Sequence, residues 1–123
     1  MNEKENNGEN IVFRRGDTFK FKYALKDFLT KEIITKSVDK MWFSVKNSTL
    51  TDHLIIQKSL EDGTITFTDD GYYHIIINPE DTNNLKYKDY VFDIEIINNG
   101  DKLTLKVGDF ILKDEVTFAI NEV

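Results

Sequence analysis

Residues 87 to 108 alternate apolar and polar positions almost without a break. Tyr90, Phe92, Ile94 and Ile96 fall on one face of an extended chain, and Val91, Asp93 and Glu95 on the other. Asn98-Asn99-Gly100-Asp101 separates that run from residues 102–108. An Asn-Gly step between two alternating runs predicts a tight antiparallel hairpin. The same period marks residues 19–25, where Phe19, Phe21, Tyr23 and Leu25 alternate with Lys20 and Lys22. It returns at residues 40–46, with Met41, Phe43 and Val45 opposite Trp42, Ser44 and Lys46. A meander follows over 54–59, 64–68 and 72–77, its turns built on Asp62-Gly63 and Asp70-Gly71. Glycine there supplies a positive φ without a Cβ clash. Shorter apolar runs at 11–13, 110–113 and 116–120 complete the predicted strands.

Residues 79–85 read as a helical turn, with Asn78 at the N-cap and Pro79 at the first helical position. Residues 27–39 lack a clean period and read as an irregular connection or as a short strand near 31–35. Residues 1–10 hold nothing to bury and are expected to be a flexible N-terminal arm. Eight or nine strands at intervals of about 8–12 residues, each with one polar side, predict two antiparallel sheets packed face to face over residues 11–123.

A chain of 123 residues is expected to form one domain. Its 40% hydrophobic content is enough for a core. The absence of cysteine excludes disulfides, thiolate metal sites and cysteine nucleophiles. A net charge of −6 argues against nucleic-acid binding, which needs clustered cations. The lysines are scattered instead, and read as solvated strand faces and edge protection. No apolar run reaches the ~18–20 residues of a membrane span, and the charged start lacks a signal peptide's apolar region. No membrane association and no export by the general pathway are expected.

Candidate chemistry is sparse. His53 and His74 are the only histidines and have no metal-ligand spacing. Ser37, Ser44, Ser48 and Ser59 have no nucleophile motif around them, and the glycines are dispersed at turns rather than gathered in a phosphate loop. Glu61-Asp62 and Asp69-Asp70 offer carboxylates for calcium but read first as turn formers. Arg15-Gly16-Asp17 reads as a turn between strands rather than an adhesion motif. No catalytic, cofactor-binding or metal residue is expected, and the chain reads as not an enzyme. Trp42, Tyr72, Tyr73, Tyr87 and Tyr90 could line a sugar platform, although large aromatics more often fill cores or interfaces. Trp42 is out of phase with Met41, Phe43 and Val45, which favours an interface anchor over a sugar contact.

Several segments, taken in order, resemble a small Ig-like domain of tailed bacteriophages. It is the type found at the N-terminus of baseplate upper proteins and in short prophage tail proteins. They are Arg15-Gly16-Asp17-Thr18 before an alternating strand, the strand beginning Trp42-Phe43-Ser44, Asp62-Gly63-Thr64-Ile65, and the turn Asn78-Pro79-Glu80-Asp81-Thr82. The strands around Tyr90-Val91-Phe92 and Leu103-Thr104-Leu105, with Phe110, Leu112 and Val116, continue the series. The match covers about residues 12–118. Residues 27–39 depart from it, lacking the usual Gly/Pro-containing turn and Leu-Thr-Gly-like step.

The resemblance implies an Ig-like antiparallel β-sandwich with about eight or nine strands and one short helical turn. It also implies a non-enzymatic, free-standing structural component of a phage, prophage or tail-like bacteriocin particle. Such a component docks other tail, baseplate or fibre proteins, with self-association inside the particle allowed for. It would assemble in the bacterial cytoplasm and reside in the virion or particle. Trp42, Phe13, Tyr72 and Tyr73 are the expected interface residues. A carbohydrate- or receptor-binding sandwich module is the alternative, and a phage-encoded intracellular regulator a more distant one.

Overall fold

A chain with a period of two buries its apolar side by pairing into sheets and stacking them face to face. The computed structural model describes residues 8–48, 50 and 53–113, and is an all-β sandwich. Its elements are β1 (Gly8–Arg14), β2 (Phe19–Ala24), β3 (Lys40–Lys46), β4 (Leu54–Ser59), β5 (Ile65–Phe67), β6 (Tyr72–Ile77), α1 (Pro79–Thr82), β7 (Asp89–Asn98) and β8 (Asp101–Lys113). One sheet has the order β1-β8-β7-β3-β4 and the other β2-β6-β5, an Ig-like arrangement. The predicted strand over 116–120 lies outside the described residues.

β7 and β8 form the predicted hairpin, turning through Asn99 and Gly100 at φ 55° and 87°. Both central residues at positive φ give the turn whose twist matches the flanking strands. Three expectations are corrected. β8 is one strand rather than two, because ladders with β7 on one side and β1 on the other carry it through Gly108, opposite Phe92. β1 runs parallel to β8, in the register that places Ile11 beside Phe110 and Phe13 beside Leu112 on the inner face. Finally, residues 8–10 are not part of a loose arm: their backbone continues that ladder to Val107, Gly108 and Asp109. Residues 1–7 lie outside the described residues.

The core is a connected aromatic row. Phe13 stacks on Phe19 at 5.2 Å and meets Phe110 edge-on at 5.3 Å. Phe21 meets Phe43 at 5.5 Å, and Phe43 meets Phe92 at 5.5 Å. Two of these contacts, Phe13–Phe19 and Phe21–Phe43, join the sheets. Burying each such side chain contributes about 1.5–3 kcal/mol. At the start of β7, buried Tyr90 donates its hydroxyl to the Lys86 carbonyl at 2.9 Å. This tyrosine corner pins the crossing between sheets.

The helical turn is shorter than predicted, four residues behind Asn78 at the N-cap. Asp81 in it accepts from the Asn78 amide and the Lys58 ammonium, each at 2.7 Å. Lys58 points inward from edge strand β4 and is buried, so this ion pair closes the sandwich on the β4 side. Residues 27–39 form an irregular connection with one isolated bridge, Lys26 to Ile33, rather than a short strand. The Asp27 carboxylate organises it by accepting from the Leu29 and Thr30 amides.

Asp81→Ala is expected to lower stability by about 3–5 kcal/mol, because it leaves a buried ammonium unpaired, whereas Lys58→Met should cost little. Denaturation of both variants checks this; a larger loss for Lys58→Met would contradict it.

Candidate docking surface

Alternation assigns every strand residue to the core or to an outer face, so the candidate residues separate at once. Phe13 lies in the core between Phe19 and Phe110. Tyr73 is fully buried, and its hydroxyl accepts the Val38 amide at 2.9 Å. Both rings serve the fold and are covered in the folded subunit. Trp42 is half-buried on the outer face of the larger sheet, between Ser59 of β4 and Glu95 of β7. Tyr72 is half-buried on the outer face of the smaller sheet, with the Lys22 ammonium 4.3 Å from its ring centre. The two residues therefore occupy opposite faces and build no common platform. Tyr90 is buried, and Tyr87 carries the Arg15 guanidinium 4.5 Å above its ring.

The two outer faces differ in charge. On the smaller sheet, Lys20 stands beside Ile76, Lys22 beside His74 and Ala24 beside Tyr72. The His74 Nε2 lies 3.0 Å from the Thr68 hydroxyl. On the larger sheet, Asp93 stands between Ser44 and Val107, and Glu95 between Trp42 and Thr104. Lys102 approaches Glu95 at 3.8 Å. A bulge at Leu105 shifts the phase of β8, which turns Val107 outward. Burial and the neighbouring Glu95 raise the Asp93 carboxyl above the usual range, against the pull of Lys46 and Lys102.

An open cleft lies on the flank away from the Lys58–Asp81 pair. There β2 of the three-stranded sheet and β1, β7 and β8 of the five-stranded sheet border one opening. A cleft of about 470 Å³ results, lined by Ile11, Phe19, Phe21, Tyr23, Phe92 and Ile94, with Lys22 and Lys106 among its polar residues. Phe19, Phe21 and Tyr23 are only half-buried, although all three face inward. The free edge of β2 borders this cleft: β6 pairs with its other side, and no strand pairs here among the described residues. A second apolar feature is the tip of the 27–39 connection, where Phe28 and Leu29 are each 83% exposed. Neither feature was expected from the sequence. The alternation of β2 marks which side faces inward but not how fully that side is covered, and 27–39 has no clean period to interpret.

The remaining candidate chemistry is absorbed by the turns. Asp62 accepts from the Thr64 hydroxyl and amide, which hold its carboxyl below the usual range. The Thr68 hydroxyl and then the Tyr72 amide do the same for Asp70. Arg15-Gly16-Asp17 is tied to the end of α1: the Gly16 amide donates to buried Thr82 at 3.1 Å, and Arg15 donates to the Leu85 carbonyl at 3.2 Å. Among the described residues no three His, Cys, Asp or Glu groups gather as metal ligands, and no helix is long and apolar enough to cross a membrane. Neither a protein-family model nor a curated protein matches the chain.

Raising a carboxyl pKa on folding means that the folded state binds the proton more tightly, so ionised Asp93 costs stability above its folded pKa. The cost is relieved as pH falls through that value. Asp93→Asn should therefore raise the denaturation midpoint near pH 7, with the gain shrinking toward about pH 4. A gain that grows on acidification would reverse the sign.

Proposed function

We propose that the chain is a non-enzymatic assembly module of a phage tail or phage-tail-like particle, working by protein–protein docking at a baseplate or fibre attachment point. The observation that carries the docking function is the open flank, where half-buried aromatic side chains line a cleft beside an edge of β2 that no described strand pairs. Exposed Phe28 and Leu29, on a loop fixed by Asp27, add a second apolar contact. Support for the tail-particle setting comes from the ordered resemblance over about residues 12–118, together with the two-sheet sandwich it implied.

Docking needs a preformed surface, and the aromatic core with its pinned corners supplies a rigid one. The proposed partners are other tail, baseplate or fibre proteins, with copies of the same chain allowed inside the particle. A carbohydrate platform is less favoured, because Trp42 and Tyr72 stand on opposite outer faces.

Particles purified from cells that produce the chain are expected to contain it, co-sedimenting after salt washing. Its presence in the cells and absence from the particles would overturn the proposal.

A further inference from the structure

The open flank has a chemistry fixed by β2 itself. Phe19, Phe21 and Tyr23 point inward, and Lys20, Lys22 and Ala24 point outward. A strand laid along the free edge of β2 would place its own side chains beside these two rows, since cross-strand neighbours share a face. Its inward residues would have to be apolar, to cover the half-buried rings and fill the cleft toward Phe92 and Ile94. Its outward residues would stand beside Lys20 and Lys22, where carboxylates are favoured and cations repelled. The cleft of about 470 Å³ borders this edge, where an added strand would enter. Among the described residues that line the cleft none is a carboxylate, in a chain of net charge −6.

We infer that the β2 edge is a strand-accepting site, which takes an extended segment of a partner protein with apolar and acidic residues in alternation. The inference rests on the docking function proposed above, and names its surface and the chemistry of its partner. Main-chain hydrogen bonds to β2 supply affinity, and the inner apolar row and outer lysines supply selectivity. The edge lysines also disfavour pairing of β2 with β2 of another copy, which would bring like charges together.

The test uses the full chain and the synthetic peptide Glu-Val-Glu-Phe-Glu-Ile-Glu-Val, with a second peptide carrying lysine in place of glutamate. The acidic peptide is expected to bind, to slow amide exchange within Phe19–Ala24, and to leave exchange in β4 unchanged. The double variant Lys20→Glu/Lys22→Glu should weaken that binding about tenfold, as two cross-strand charge pairs turn from attraction to repulsion. The same variant should bind the lysine peptide better than the wild type does. That rescue separates docking from damage to the fold.

Absence of binding by both peptides overturns the inference. So does β2 that is already protected in the chain alone, which would mean that the chain fills its own edge. Protection that rises with protein concentration overturns it too, in favour of a second copy. If these results fail while the chain still co-sediments with particles, the docking function stands and only its placement on β2 is wrong. Loss of both results removes the two together.

Discussion

The structure depends on aromatic contact between its two sheets. Phe21 of the smaller sheet rests against Phe43 of the larger, and Phe19 stacks on Phe13. Phe92 and Phe110 then tie β7 and β8 into the same cluster. Because side chains alternate along a strand, fixing these rings inward fixes every neighbour outward. Lys20 and Lys22 reach the surface for that reason, as do Trp42, Asp93 and Glu95. A slip of one residue in β2 would bury two ammonium groups and expose two phenylalanines, so the register is strongly specified.

The same packing leaves the sandwich asymmetric. On the β4 flank, inward-pointing Lys58 meets Asp81 of α1, and a charged pair occupies the gap between the sheets. An inward charge on an edge strand also discourages strand addition there. On the β1 flank the gap is lined by Phe19, Phe21, Tyr23 and Ile11, with the Lys106 ammonium 5.6 Å from the Tyr23 ring centre. Apolar side chains at an open edge leave free energy to be gained by any strand that covers them. The two flanks thus differ in what they can bind, although both border edge strands.

Elements whose causes are local were legible in the sequence. The Asn99-Gly100 turn, the Asp-Gly turns, the alternation of β2, β3, β6 and β7, and Asn78 with Pro79 at the start of α1 all follow from neighbouring residues. Features set by distant partners were not legible. Gly108 looks like a strand terminus, yet it is carried through by ladders on both sides. The parallel pairing of β1 depends on β8, about a hundred residues away. Candidate contact residues suffered similarly. Phe13 and Tyr73 are large and aromatic, and in a sandwich those properties serve a core as well as an interface; only the sheet order decides between them. The open flank was least legible, because it arises from how the two sheets come together and from no residue in particular.

Lysine on an edge strand is usually read as protection against unwanted pairing, and in β2 that role and strand acceptance coexist. Backbone donors and acceptors on a free edge are alike for every incoming strand, so they cannot discriminate. Discrimination has to come from the side chains on either face of the added strand. In β2 the inner row demands apolar residues and the outer row disfavours cations, while charge pairs of this kind are each worth only about 0.2–1 kcal/mol. Such an edge disfavours its own copy, whose outward row is also lysine, and favours an acidic strand. Weak repulsion of the wrong strand combined with an apolar gain from the right one is a consistent physical basis for the docking proposed above.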